Sequence, residues 1–248
     1  MPLTQKREKL SILLMQIRDD QETREEELAE FVRYSQISER QFTVLNVFET
    51  PYFEASCIKG YDALFVGGSS DASVIQPETY PFVEDAKKLL LHCVDQNVPV
   101  FASCFGFQLV VEALGGKVIL DKENMEMGTY PLQLTEAAQN DILFCDVPNE
   151  FWAVSGHKER AAFLPEDAIL LASSALCPHH ALKIRDKPFY GFQFHPELDK
   201  QDLSTRITRY QDRYLDSHDM LQNILDGLQE TPESNNLIQK FVDRVILG

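Results

Sequence analysis

Short apolar runs alternate with amphipathic segments over the first 116 residues, and this alternation restricts the fold more than any other feature. The runs predicted as strands are residues 11–17, 42–48, 63–66 and 98–102. The segments with helical spacing of apolar side chains are residues 23–34, 82–94 and 105–114. Strands that alternate with helices are typical of a parallel, doubly wound sheet. We therefore predict a three-layer, flavodoxin-like α/β fold with a mostly parallel central sheet.

The pattern changes after residue 116, where strand-like runs follow one another with few helical segments between them. These runs are residues 117–120, 130–134, 151–154, 169–173, 181–184 and 189–194. They predict an antiparallel extension of the sheet. Helical spacing returns from Leu203, and the polar residues 231–236 are predicted to separate two C-terminal helices. We therefore predict one α/β domain over residues 1–200 and a helical appendage, residues 201–248, packed on it.

Cys104 lies between a predicted buried strand and a predicted helix. A strand that ends in one sharply turning residue before a helix forms a nucleophile elbow. Ala102 and Gly106 are small enough for such a turn, and a helix that begins at Phe105 places partial positive charge beside the sulphur. A buried structural cysteine at a helix start is the alternative. The segment predicts that Cys104 is a nucleophile at the carboxyl edge of the sheet.

His195 and Glu197 follow the last predicted strand, with Pro196 between them. A cysteine nucleophile needs a base, and the base needs a third group that orients it. Residues two apart on an extended segment project to the same side, and proline stiffens the backbone. Each side chain alone could be an ordinary polar group at the end of a strand or the start of a helix. Together with Cys104, they predict a Cys-His-Glu triad.

Two glycines, Gly67 and Gly68, directly follow the third predicted strand. The tetrahedral intermediate of acyl transfer needs backbone N–H donors that are already in position. One donor would be the N–H of Phe105, and Gly68 could bring a second close because it has no Cβ. An ordinary turn is the alternative for an isolated glycine pair. Beside Cys104, the pair predicts an oxyanion hole formed by Gly68 and Phe105.

The formal net charge of −16 limits the partners of the chain. Most of such a surface would repel a phosphate backbone, so nucleic-acid binding is not expected. No apolar run approaches the ~20 residues of a membrane span, and the N-terminal apolar stretch is too short for a secretory signal. We therefore expect a cytoplasmic protein without membrane association. The acidic stretch at residues 19–27 is interpreted as a solvated helix face.

The cysteines and histidines do not form a recognisable metal or disulfide framework. The five cysteines are an odd number and include no C-x-x-C pair, which fits reduced thiols in a cytosolic enzyme. The His179-His180 doublet has no spaced carboxylate or thiol partner, so we interpret it as a strand-edge feature. Neither a P-loop nor a dinucleotide fingerprint is present. We therefore expect no metal site and no cofactor.

The glycine pair, the cysteine elbow and the His-Pro-Glu segment resemble, in order and spacing, the class I glutamine amidotransferase superfamily. Its pattern is a glycine-rich oxyanion loop, then G-x-C-x-G-x-Q, then H-P-E. The matching segments here are residues 67–71, 102–108 and 194–197. Ala102 replaces the glycine two residues before the cysteine, and Ser69 replaces the proline after the glycine pair. The loop sequence is closer to the stand-alone branch, which resembles the amidotransferase part of GMP synthase and includes γ-glutamyl peptidases.

By this resemblance, residues 1–200 would form an amidotransferase-like domain with Cys104 as nucleophile, His195 as base and Glu197 as the group that orients it. The other site residues implied are the oxyanion donors Gly68 and Phe105 and the substrate-binding residues Gln108, Ser155 and His157. Gln108 would hold the amino-acid end of the substrate. The segment with Ser155 and His157 would line the glutamine pocket.

The implied reaction is hydrolysis of the γ-carboxamide of glutamine through a thioester, which releases glutamate and ammonia. An amidotransferase passes the ammonia to a synthase. No synthase domain is recognised on this chain, so a separate synthase subunit is a possible partner. A self-sufficient hydrolase of γ-glutamyl compounds and a non-catalytic binding or regulatory relative stay open as alternatives. The Cys-His-Glu set argues against the non-catalytic one, and the sequence does not specify an oligomeric state.

Overall fold

A computed structural model describes residues 3–210 and 218–248 of the chain. The helices are α1 (Leu3–Arg7), α2 (Gln21–Ser35), α3 (Phe82–Gln96), α4 (Phe105–Ala113), α5 (Glu136–Gln139), α6 (Lys200–Arg209), α7 (His218–Gly227) and α8 (Pro232–Phe241), with a π-helical turn at Val242–Ile246. The strands are β1 (Ile12–Gln16), β2 (Phe42–Asn46), β3 (Ala63–Val66), β4 (Val100–Ser103), β5 (Lys117–Leu120), β6 (Glu126–Leu134), β7 (Glu150–His157), β8 (Glu159–Phe163), β9 (Ala168–Ser173), β10 (Ala181–Ile184) and β11 (Phe189–Phe192). No helix within these ranges is both long enough and apolar enough to span a lipid bilayer.

Within the described ranges, nine strands form one sheet in the order β2-β1-β3-β4-β11-β10-β9-β6-β7. The neighbours from β2 to β11 run parallel. The strands from β10 to β7 continue the sheet in antiparallel pairs. Strands β5 and β8 form a separate antiparallel ribbon. The predicted doubly wound sheet with an antiparallel extension is therefore confirmed.

Strand β1 shows why the parallel strands appear in the sequence as continuous apolar runs. All of its residues are buried, and successive side chains point to opposite faces of the sheet. Leu13 and Met15 enter the core beneath α3 and α4, whereas Ile12 and Leu14 enter the core beneath α2 and α8. Each such side chain contributes about 2 kcal/mol through its removal from water. Helices on both faces give the three predicted layers.

The prediction of a polar break at residues 231–236 is wrong, because α8 begins at Pro232. Proline is well placed at the first helical position, where its missing N–H would have had no acceptor. The polar side chain of Asn235 is buried, and its Nδ2 donates to the carbonyl oxygens of Pro196 and Leu198, each at 2.8 Å. Helix α8 therefore supports the chain that follows β11, instead of leaving a solvated gap.

Candidate active site

Cys104 occupies a strained backbone position between β4 and α4. Its φ of 49° and ψ of −101° lie outside the regions that a residue with a side chain normally adopts. Its N–H donates to the Phe192 carbonyl at 2.7 Å, and its own carbonyl accepts from the Gln108 N–H at 3.1 Å. Such a conformation costs roughly 1–3 kcal/mol and persists only where the surroundings determine it. The structure therefore places Cys104, which is 4% exposed, on a sharp strand-to-helix turn with the backbone geometry predicted for an elbow.

Gly106 allows α4 to begin directly against β3. Its N–H donates to the Gly67 carbonyl at 3.2 Å. A Cβ at this position would lie 2.8 Å from Cγ1 of Val66 and 2.9 Å from the carbonyl oxygen of the same residue. Because that oxygen belongs to a central strand, it cannot move aside at low cost. The close approach therefore requires glycine at residue 106.

Replacing Gly106 by alanine should lower the free energy of unfolding by about 1–3 kcal/mol through overpacking against β3. The matched control is Gly227→Ala, at the end of α7, where an added Cβ meets no atom of the described residues within 4 Å. Urea unfolding followed by circular dichroism measures both variants. Equal midpoints for the two variants would contradict the close approach of α4 to β3.

His195 and Glu197 form a buried hydrogen-bonded pair beside the elbow. Nδ1 of His195 lies 2.7 Å from Oε1 of Glu197, which also accepts from Oγ of Ser103 at 3.1 Å. Burial opposes a charge on His195, but the sulphur of Cys104 and the carboxylate of Glu197 outweigh it and raise the pKa of the imidazole. Burial likewise opposes the charge on Glu197, but the neighbouring imidazole holds the pKa of the carboxyl below its ordinary value. The arrangement favours a protonated imidazole between the carboxylate of Glu197 and the sulphur of Cys104.

Gly68 lies directly against the cysteine and the histidine. A Cβ added there would be 2.8 Å from Cε1 of His195, 2.9 Å from Nη2 of Arg18 and 3.6 Å from Cβ of Cys104. Phe105 is the first residue of α4, so its N–H has no acceptor within the helix. Gly68 and Phe105 therefore both lie next to Cys104, and an oxyanion hole formed by their N–H groups stays a prediction.

Arg18 and Glu27 brace the glycine loop, and the sequence interpretation did not identify them. Nε of Arg18 donates to Oε1 of Glu27 at 2.9 Å, and Nη1 of Arg18 donates to Oγ of Ser70 at 3.0 Å. The carboxylate of Glu27 lies under Gly67, where an added Cβ would be 2.5 Å from Oε1. Burial raises the pKa of this carboxyl, although Arg18 acts in the opposite direction. The interpretation of residues 19–27 as a solvated face is therefore wrong for Glu27.

A cavity of about 400 Å³ opens in front of Cys104 and His195. Of the three predicted substrate-binding residues, Gln108 and His157 line this cavity, whereas Ser155 is buried within β7 and does not. Nε2 of Gln108 donates to the Glu159 carbonyl at 2.8 Å. The predicted pocket loop is thus the end of a strand.

The interpretation of the histidine doublet as a strand-edge feature without partners is wrong for His180. This residue is fully buried, and its Nε2 lies 2.8 Å from Oε2 of Glu126. Nε2 of His157 lies 3.0 Å from the same oxygen. One ring nitrogen of each histidine and Sγ of Cys177 lie within 4.8 Å of one another. The spacing Cys177-x-x-His180 is the local signal for this cluster, whereas Glu126 arrives from another strand and has none.

The fold and this edge of the sheet define a class of doubly wound α/β proteins in which a nucleophile elbow presents a cysteine beside an oriented histidine. Residues 30–211 match the sequence profile of the family described as glutamine amidotransferase class-I. The chain belongs to the class-I glutamine amidotransferase family.

Two curated relatives and one solved structure illustrate the similarity. One of the subunits of the glutamine-hydrolysing GMP synthase from Pyrococcus furiosus is 30% identical over 160 residues, which cover 64% of this chain and 78% of the relative. The glutamine-hydrolysing GMP synthase of Streptococcus mutans is 35% identical over 130 residues, which cover 52% of this chain but 25% of that protein. The chain thus spans about a quarter of the bacterial enzyme. The fold matches a glutamine amidotransferase from Thermotoga maritima with a TM-score of 0.75 and 18% identity, covering 96% of this chain and 99% of that one.

Proposed function

We propose that this chain hydrolyses the γ-carboxamide of glutamine, with Cys104, His195 and Glu197 as its catalytic residues. The observation that carries the proposal is the strained elbow of Cys104 beside an imidazole whose Nδ1 lies 2.7 Å from a buried carboxylate. Membership of the family and the glutamine-hydrolysing activity named for both curated relatives support glutamine as the substrate.

The first half of the proposed reaction forms a thioester. The thiolate of Cys104 attacks the γ-carbonyl carbon, and the developing oxyanion accepts hydrogen bonds from the N–H groups of Gly68 and Phe105. His195 then donates its proton to the nitrogen of the leaving group while the C–N bond breaks. Ammonia departs, and the glutamyl group stays on the sulphur.

The second half returns the enzyme to its starting state. His195, now neutral, accepts a proton from water, and the resulting hydroxide attacks the thioester carbon. Collapse of this second tetrahedral intermediate breaks the C–S bond, releases glutamate and regenerates the thiolate beside the imidazolium. Glu197 keeps one ring nitrogen occupied throughout, so the other always faces the reacting atoms.

The proposed destination of the ammonia is a separate synthase subunit, because the relative from Pyrococcus furiosus is itself named as one subunit of a GMP synthase. The direct test of the hydrolytic step does not need that partner. Purified chain is incubated with glutamine, and glutamate and ammonia are measured over time. Equimolar release of both products supports the proposal, and the absence of either product above the rate of spontaneous hydrolysis refutes it for the isolated chain.

The outer wall of the cavity favours a second candidate, hydrolysis of γ-glutamyl compounds larger than glutamine. Lys122 and Lys158 line the cavity together with Asp71 and Glu159. Arg206 also lines it, but its guanidinium is paired with Glu30 at 2.7 Å. Two lysines beside a reaction cavity on a chain with a net charge of −16 would attract a carboxylate beyond the scissile amide. A γ-glutamyl peptide carries such a carboxylate at its C-terminus, whereas glutamine does not.

Replacing Lys122 and Lys158 together by alanine should raise KM for γ-glutamylglycine about five- to tenfold. The reason is that the C-terminal carboxylate of the peptide loses its partly solvated ion pairs with the two lysine ammonium groups. KM for glutamine and for γ-glutamylglycinamide, which lacks the carboxylate, should change less than about twofold. Lys59→Ala, on another part of the surface, is the matched control. Steady-state kinetics on the three substrates measures the effect. Failure of the wild-type chain to cleave either peptide would remove this second candidate and leave the glutaminase.

A further inference from the structure

The antiparallel part of the sheet brings four metal-binding side chains together in the protein interior. Glu126 begins β6 and His157 ends β7, and the two are register partners. Cys177 and His180 lie in the segment that enters β10. All four residues are buried, and Glu126, Cys177 and His180 have no exposed surface. This cluster is separate from the Cys104, His195 and Glu197 set.

Nε2 of His157 is hydrogen-bonded to Oε2 of Glu126 at 3.0 Å, but the imidazole of His180 is left without a partner among the described residues. Nε2 of His180 lies 2.8 Å from Oε2 of Glu126, yet neither ring nitrogen of His180 has a partner in hydrogen-bond geometry among the described residues. An unsatisfied polar group in the interior costs about 1–3 kcal/mol. Bonds of 2.0–2.1 Å to a tetrahedral ion place neighbouring ligand atoms roughly 3.3 Å apart. A buried imidazole without a partner, within 4.8 Å of a second imidazole and a thiol, is therefore the arrangement expected of ligands that point at a shared cation.

The donor set and its charge fit zinc. Imidazole nitrogen, thiolate sulphur and carboxylate oxygen are the ligands that Zn²⁺ takes in proteins. The carboxylate of Glu126 and a thiolate at Cys177 together would neutralise the ion, so no net charge is buried. Oγ of Ser174 donates to Oε1 of Glu126 at 2.5 Å and accepts from the N–H of Cys177 at 2.9 Å. Ligand carboxylates in metal sites are commonly held by such an outer hydrogen bond.

We propose that Glu126, His157, Cys177 and His180 bind one zinc ion in a structural site. Binding replaces the proton of the Cys177 thiol by the metal and releases that proton to solvent, without a change of oxidation state. His157, Cys177 and His180 would supply three ligands, and Glu126, whose Oε2 lies within 3.0 Å of Nε2 of both imidazoles, would supply the fourth. The ion would then have no open position for a substrate and would act by stabilising the structure.

The proposed ion would join the edge of the sheet to the wall of the cavity. It ties β6, β7 and the segment before β10 together at one point. His157 directly follows Gly156, whose carbonyl oxygen lies 3.8 Å from Sγ of Cys104. Zinc would therefore fix the part of the cavity wall that faces the nucleophile. The site itself does not depend on which amide the chain hydrolyses.

The test is carried out in a Cys104→Ser background, so that the cysteine and histidine of the elbow cannot supply a second thiolate and imidazole site. The ligand variants are Cys177→Ala and His180→Gln. The controls are Cys93→Ala, which removes an equally buried thiol from the apolar core, and His179→Gln, whose ring contacts the Ala161 carbonyl at 3.1 Å. Zinc content after dialysis, cobalt absorption and thermal unfolding are measured, and circular dichroism reports folding.

The parent and both controls should retain about one zinc per chain and show a thiolate-to-cobalt charge-transfer band. The ligand variants should bind zinc about 10- to 100-fold more weakly, and Cys177→Ala should lose the band. Saturating zinc should raise Tm of the parent by about 5–10 °C and leave that of the ligand variants unchanged. Equal zinc binding by Cys177→Ala and the parent would overturn the proposal. If the ligand variants fail to fold, the cobalt titration of the Cys104→Ser parent is the remaining test. Absence of the thiolate-to-cobalt charge-transfer band in that titration would overturn the site.

Discussion

Replacing Cys104 by alanine is expected to lower kcat/KM for glutamine by about 10⁴-fold or more, because no other group can form the thioester. The fold should survive, since alanine meets the same backbone strain at this φ as cysteine does. Glutamate release from the purified variant measures the loss. Urea unfolding should give a free energy within about 1 kcal/mol of the wild-type value.

The control for Cys104→Ala is Cys145→Ala, which removes an exposed thiol far along the chain from the elbow. An electrophilic glutamine analogue should label one thiol in the wild-type chain and in the control, and none in Cys104→Ala. Mass spectrometry of the labelled peptide locates the thiol. Undiminished hydrolysis by Cys104→Ala would end the proposed mechanism, and a label on another cysteine would move the nucleophile elsewhere.

The fold and the elbow could be predicted because their determinants are local. Strand β3 is fully buried, so its four residues form a continuous apolar run with the same bounds in sequence and structure. Cys104 is recognisable because a buried strand, a small residue on each side and a helix follow one another within a few positions. His195 and Glu197 are two residues apart, so their hydrogen bond is a short-range contact that the sequence can suggest. The predicted reason is wrong, however, because residues 196–197 form a turn closed by the Leu198 N–H to the His195 carbonyl at 3.2 Å, and not an extended segment.

The remaining parts of the site depend on contacts between distant segments. Glu27 is surrounded by acidic residues in the sequence, and only the packing of α2 beneath the glycine loop shows that it is buried. Arg18 carries a weak signal, because it follows β1, whose carboxyl end lies beside that of β3. Glu126 meets His180 only after β6 and β10 have both paired with β9, which lies between them in the sheet. Such long-range placements are set by tertiary packing, and a pattern of neighbours along the chain does not record them.

The C-terminal helices show how a polar sequence can hide a buried role. Asn235 looks like part of a solvated break, yet it satisfies two carbonyl groups beside the His-Pro-Glu segment. A buried carbonyl without a donor is costly, so the fold uses a polar side chain at this point. The residue therefore helps to set the backbone that carries His195, although nothing adjacent to it in sequence indicates this.

Replacing Glu197 by glutamine is expected to lower kcat about 10²- to 10⁴-fold with little change in stability, since the amide keeps the shape of the carboxyl but not its charge. The carboxylate is one of the two groups that raise the pKa of His195 against the effect of burial. Without it, the imidazolium loses its proton at a lower pH. The alkaline limit of activity should therefore move to lower pH, and a pH profile of kcat/KM measures this shift.

The matched control for Glu197→Gln is Glu30→Gln. Burial raises the pKa of Glu30 against the opposing effect of Arg206, and the amide oxygen of a glutamine there can still accept the 2.7 Å hydrogen bond from Arg206. The control should therefore keep its alkaline limit, because Glu30 is not one of the groups that raise the pKa of His195. A purely structural role for Glu197 would lower stability and leave the alkaline limit in place. If Glu197 acts through its charge, the variant should keep its stability and its alkaline limit of activity should move to lower pH. The alkaline limit depends on the charge of the carboxylate beside His195, whereas the free energy of unfolding depends on its packing.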